Sequence, residues 1–183
     1  MCSLKLGFIK NNLSPQFRKQ TGFTLIEIVM VILILGVLAV FAIAKFADLS
    51  SSARVATLEG IEGAMRSTIG VIRSKAYVKG LSISPSNPPS QAAYIIETEA
   101  GTSEVDWRNL CPESRAELGD ALSMVDHIGL IESGELTTIT SNRYTRVGYD
   151  IQGTGAPTAN GCYVTYDSFG DPNCTVSLIA TDC

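Results

Sequence analysis

This sequence is short of the residues most enzymes depend on. It has one histidine, His127, in 183 residues, so no histidine-based metal cluster or paired acid–base couple can be assembled from it. A lone histidine of this kind reads as surface or structural. No two cysteines stand at the close C-x₂₋₄-C spacing of a thiolate zinc site. Gly153-Thr154-Gly155 lacks the lysine and the following helix of a phosphate-binding loop. No Ser/His/Asp, Cys/His or paired-carboxylate arrangement stands out, so the expectation is a non-enzyme with no catalytic residue, no cofactor and no metal.

Charge of one sign is missing in two places. Residues 1–22 contain no acid, only Lys5, Lys10, Arg18 and Lys19. The rest of the chain holds the other ten of its 14 basic residues and all 18 acids, a balance of −8. An acidic body without clustered Lys and Arg excludes nucleic acid as an expected partner.

Apolar residues are concentrated in one long run. Residues 23–44 carry a single charge, Glu27. As a helix rising ~1.5 Å per residue this run spans about 33 Å, close to the ~30 Å hydrocarbon core of a bilayer. The basic segment before it follows the positive-inside pattern, which places residues 1–22 in the cytoplasm and the remainder outside. A carboxylate inside such a run costs a few kcal/mol, so Glu27 requires a partner. The order of parts is not that of a secretory signal, because Gly22 precedes the apolar run and a cut there leaves the membrane segment in the mature chain.

The motif Gly22-Phe23-Thr24-Leu25-Ile26-Glu27, followed by Val31, Ile32, Leu33, Ile34, Leu35, Gly36, Val37, Leu38 and Ala39, resembles the N-terminus of type IV pilins and their pseudopilin relatives. The resemblance implies cleavage between Gly22 and Phe23 by a prepilin peptidase and N-methylation of Phe23. It further implies assembly through Glu27, with other pilin subunits, the membrane and the inner-membrane pilus machinery as partners. It implies an inner-membrane precursor that becomes part of an extracellular pilus serving surface attachment or biofilm formation. A minor pilin, a type II secretion pseudopilin and a non-polymerising, membrane-tethered binding module are the alternatives. Two departures are visible: the leader is longer than in many pilins, and Ala44 stands where a proline is often found.

Beyond the apolar run the helical period persists. Leu58, Ile61, Met65, Ile69, Ile72 and Ala76 recur every three or four residues and form one face. Ala53, Ala56, Gly60, Gly63, Ser67, Gly70 and Ser74 form a second stripe roughly opposite, suited to close approach of another helix. The pattern predicts one helix over residues 24–77, its second half burying the large stripe under a head. Ser84-Pro85-Ser86-Asn87-Pro88-Pro89-Ser90 reads as a loop. Ala93-Tyr94-Ile95-Ile96 reads as a short strand. Pro112 after Cys111 reads as a helix entry, with Ala116, Leu118, Ala121, Leu122 and Val125 as a second, short helix.

From residue 136 the period changes to two. Residues 136–140, 144–151, 162–166 and 174–180 read as four strands of an antiparallel meander packed on the helix. The expected architecture is α+β, the type IV pilin fold of a long N-terminal helix on a C-terminal antiparallel sheet. Its parts are a leader over 1–22, a membrane or filament-core helix over 23–45, an amphipathic half over 46–79 and a head over 80–183. Cys162-Tyr163-Val164-Thr165-Tyr166 with a terminal cysteine, and Ser52-Ala53-Arg54 after the membrane half, resemble more narrowly the mannose-sensitive haemagglutinin pilins.

Cys2 lies in the basic segment and should stay reduced, whereas Cys111, Cys162, Cys174 and Cys183 form an even set in the exported part, where disulfides persist. Four cysteines allow three pairings. If the last two strands form a hairpin, Cys162 faces the end of the final strand, which favours Cys162 with Cys183 and leaves Cys111 with Cys174. The turn Asp167-Ser168-Phe169-Gly170-Asp171-Pro172-Asn173 gathers oxygen ligands, although ordinary turn composition explains it equally. Asn173-Cys174-Thr175 fits an N-glycosylation pattern.

Overall fold

The computed structural model describes residues 22–130, 134–153, 155–170 and 174–183. The chain divides into two compact units, residues 1–44 and 45–183. Helix α1, Leu25–Val78, contributes to both, and within it the bounds agree with the period read from the sequence. In the first unit the described side chains of α1 are exposed, as an apolar helix with no neighbour must leave them.

The second unit is an α+β head. Its part of α1 turns Leu58, Ile61, Met65, Ile72 and Ala76 inward, none more than 9% exposed. Leu58, Ile61 and Met65 meet Val147, Val164, Tyr166 and Val176 of the sheet in one core cluster. Ile72 and Ala76 join a second cluster with Ile96, Val105 and Leu110. Each fully buried side chain of this size contributes about 1.5–3 kcal/mol, and these contacts offset the poor helix propensity of Gly60, Gly63 and Gly70. Arg66 fastens α1 to the sheet from the rim, pairing with Glu62 at 2.7 Å and donating to the Val176 carbonyl at 2.7 Å.

Four strands make the main sheet: β3 Thr137–Thr140, β4 Tyr144–Asp150, β5 Cys162–Asp167 and β6 Thr175–Ala180. Their order is sequential and every pairing is antiparallel, the meander that the two-residue period implies. A bulge between Gly148 and Asp150 lets β4 keep pace with β5. Gly148 is required there, since a Cβ would lie 2.3 Å from both the Cys162 carbonyl and the Tyr163 Cβ.

Two expectations for the middle of the chain need correction. The strand expected at Ala93-Tyr94-Ile95-Ile96 begins only at residue 95. Gln91–Tyr94 is a 3₁₀ turn, followed by β1 Ile95–Thr98 paired with a second strand, β2 Gly101–Glu104, that the sequence reading omitted. The helix expected from Pro112 onward is absent. Its backbone donors are spent on β2 and its extension instead: Glu113 N–H donates to the Glu104 carbonyl at 3.1 Å, and Leu122 N–H to that of Thr102 at 2.7 Å. Gly119 adopts a left-handed φ of 52°, which breaks any helix there. The short helix that does form, α2 Met124–Ile128, starts at Ser123, whose N–H and O–H both reach the Asp126 carboxylate. It stops at left-handed Gly129.

Candidate functional site

Two regions carry features that packing alone does not explain. One is the start of α1. Gly22, Phe23 and Thr24 precede the helix, and Thr24 accepts from the Glu27 N–H through its carbonyl at 3.1 Å and its hydroxyl at 3.4 Å. Glu27 thus sits in the first turn, where a carboxylate is favoured by the exposed N–H groups. Phe23 is 77% exposed, the Glu27 side chain is exposed, and among the described residues Glu27 has no ion-pair partner. By length and composition α1 is able to cross a membrane. Residues 1–21 lie outside the described residues.

The small-residue stripe faces away from the core. Ala53, Ala56, Gly60, Gly63, Ser67, Gly70 and Ser74 are all exposed, and a Cβ added at Gly60, Gly63 or Gly70 meets nothing within 4 Å. The head therefore makes no use of those three glycines.

The second region surrounds the irregular segment after β2. Glu104, Asp106 and Glu113 are all buried, and Glu117 stands at the rim. Asp106 binds Arg108 at 2.8 Å, and Glu104 accepts from the N–H groups of Glu117 and Leu118 at 2.7 and 3.1 Å. Burial pushes the Asp106 carboxyl above the usual range, against the pull of Arg108. At Glu113 the pull of Arg108 is outweighed. Burial first, then the charges of Asp106, Glu104 and Glu117, push its pKa up to about 9, so it holds its proton at neutral pH. The Tyr166 hydroxyl nearby is spent on the Pro112 carbonyl at 2.5 Å. These four acids have no common period in the sequence, and the density of Asp and Glu between residues 97 and 120 was the only available signal.

Cysteine sulfurs pair as Cys111 with Cys174 and Cys162 with Cys183, with Cα separations of 5.8 and 4.8 Å. The first joins the segment after β2 to the start of β6. The second closes the β5–β6 hairpin beside the Cys162–Ala180 rung.

His127 lies on α2 with its Nε2 2.8 Å from the Ser103 hydroxyl. Burial lowers its pKa below the ordinary histidine value, so the ring is neutral at physiological pH. A serine–histidine contact invites a nucleophilic reading, but Ser103 is fully buried and its hydroxyl is beyond the reach of a substrate. In the turn after β5, Asp167 is committed to Arg143 at 2.8 and 2.9 Å and to the Phe169 N–H. Asp171, Pro172 and Asn173 lie outside the described residues. Among the described residues no group of three His, Cys, Asp or Glu is placed to hold a metal ion.

Compared with known families, residues 17–43 match the prokaryotic N-terminal methylation motif. The match supports a type IV pilin-like protein and a membrane-anchored precursor, and it points to a structural rather than an enzymatic role. No curated protein and no solved structure matches the chain.

Proposed function

We propose that this pilin-like chain is a structural subunit of a type IV pilus, polymerised through its N-terminal helix for surface attachment and biofilm formation. The observation that carries the reading is the methylation motif over residues 17–43 with a carboxylate, Glu27, in the first turn of α1 that has no ion-pair partner among the described residues. Prepilin peptidase cuts between Gly22 and Phe23, which frees an α-amino group with a pKa near ~8, cationic at neutral pH. Methylation of Phe23 leaves that charge in place. In the filament, Glu27 of an entering subunit neutralises the Phe23 amine of a neighbour. A wrong register strands both charges in a low dielectric, at roughly 3–5 kcal/mol for each broken pair, so the contact selects register. The precursor waits in the inner membrane, and the product is extracellular. The narrower likeness to mannose-sensitive haemagglutinin pilins is supported by the β5–β6 hairpin that Cys162 and Cys183 close.

The test compares the wild type with Glu27→Val. Wild-type cells are expected to shed filaments whose subunits begin at Phe23 with one added methyl group. The variant is expected to be cleaved but to yield no filaments. Filaments unchanged in Glu27→Val, or an intact Met1 on exported protein, would overturn the proposal. A wild type that is cleaved, methylated and never polymerised would move the chain to the tethered-module class.

The exposed small stripe is assigned to contact between subunits. Alanine at Gly60, Gly63 and Gly70 is expected to stabilise the isolated chain by up to ~1 kcal/mol per site. The same three changes should lower filament yield, because the added methyl groups hold neighbouring helices apart. Thermal melts and filament counts on the triple variant check both halves.

A further inference from the structure

The acidic region borders a partly open cavity of about 150 Å³ whose walls include Gln91, Trp107, Arg108, Glu113, Glu117 and Asn142. Its one cation is already engaged: Arg108 pairs with the fully buried Asp106 and lies 4.2 Å from the ring centroids of both Trp107 and Phe169. Gln91, with its amide nitrogen turned inward, donates to Glu117 Oε2 at 3.0 Å and Glu104 Oε1 at 3.1 Å. Glu113 is left over. It is 6% exposed, and its buried Oε2 has no hydrogen-bond partner. A buried carboxyl group in that position costs of order 1–3 kcal/mol unless something donates to it.

We infer that this cavity is a binding site for a primary ammonium group, held by Glu113 and Glu117 beside the Trp107 ring. An ammonium is compact and brings three donors, which suits two carboxylates in a small space better than a planar guanidinium. At ~30 Å³ per water the cavity equals about five waters, enough for an ammonium and two or three carbons. The surrounding charges favour a cation: around Glu113 the carboxylates of Asp106, Glu104 and Glu117 outweigh Arg108. Binding is coupled to a proton. The Glu113 O–H bond breaks, the proton leaves to solvent, and the carboxylate formed pairs with the ammonium.

Trp107 is the only tryptophan in the chain, so its emission reports on this site alone. The detergent-solubilised full chain is titrated with ethylammonium chloride at pH 7 and constant ionic strength. A saturable change in emission is expected, with release of a proton in weak buffer. Glu113→Gln, its fold checked by circular dichroism, should abolish both signals, and Glu117→Gln should weaken binding about tenfold. Tetramethylammonium, which has no N–H, should give no response. The site assignment fails if tetramethylammonium or sodium acts equally, if Glu113→Gln responds like the wild type, or if no titration saturates. Carbodiimide coupling of the assembled protein then separates the two sources of ammonium. A Glu113–lysine link between chains identifies a second copy, and saturable ethylammonium binding without such a link identifies a free amine.

Discussion

At pH 7 the Glu113→Gln variant should be more stable than the wild type by about 2–3 kcal/mol, and its stability should depend far less on pH. The folded chain holds the Glu113 proton up to about pH 9, whereas the ordinary value for this group is 4.5. Between those two values the unfolded chain releases a proton that the folded chain keeps. Folding therefore becomes less favourable as pH rises through this window, by up to ~1.4 kcal/mol per pH unit, and levels off above it. Integrated from 4.5 to 7, the penalty is about 3 kcal/mol, which glutamine escapes because it is neutral in both states. Asp106, also raised, adds a slope of the same sign that the variant keeps. Asp126 is lowered, mainly by its hydrogen bond from Ser123, so it contributes above the ordinary carboxylate value and loses that contribution as pH falls. Urea denaturation at pH 5, 6, 7 and 8 measures both slopes. Parallel curves for wild type and variant would show that Glu113 is ionised in the folded chain.

Loss of the Cys111–Cys174 bridge is expected to destabilise the head by about 4 kcal/mol, and loss of Cys162–Cys183 by about 3 kcal/mol. The order follows from the chain each closes, with sequence separations of 63 and 21, because the longer loop gains more freedom in the unfolded state. Local structure points the same way. Cys162 and Cys183 flank a hairpin whose rungs run from Cys162–Ala180 to Asp167–Thr175, so the ladder keeps these ends together without the bond. Cys111 and Cys174 belong to parts of the head with no strand pairing between them, and Cys111 is fully buried against the core. Double alanine variants, melted under non-reducing conditions, give the two costs. Equal losses would mean that the segment after β2 is held by its other contacts, such as the Asn109 side-chain amide on the Ser168 and Gly170 carbonyls at 2.7 and 3.1 Å.

Where local rules and tertiary demand agree, the reading from sequence and the fold coincide. The stripe of Leu58, Ile61, Met65 and Ile72 can be satisfied in only one way, by a helix with that face covered, and the head covers it. The alternation from residue 136 onward likewise leads to four strands in sequence order, each paired with the next across a link of three to eleven residues.

The segment from Cys111 to Leu122 shows the opposite. Pro112 and the spacing of Ala116, Leu118, Ala121 and Leu122 satisfy helix rules, and the chain is still not helical there. β2 offers its backbone groups along the same stretch, the bond from Cys111 to Cys174 anchors one end, and Gly119 turns the middle. A strand edge with unmet hydrogen bonds outweighs a weak helical preference that has no apolar face to bury.

The sequence by itself determined the apolar segment, the methylation motif, Glu27 within it, the amphipathic half of α1 and the run of strands. Each is set by a period or by adjacent residues, and neither needs a fold to be read. Tertiary structure alone decided what becomes of the segment after β2, and that Glu113 is closed in among Glu104, Asp106 and Glu117. Those outcomes depend on which groups distant chain segments bring within a few ångströms, where desolvation and charge act, and no local pattern encodes that distance.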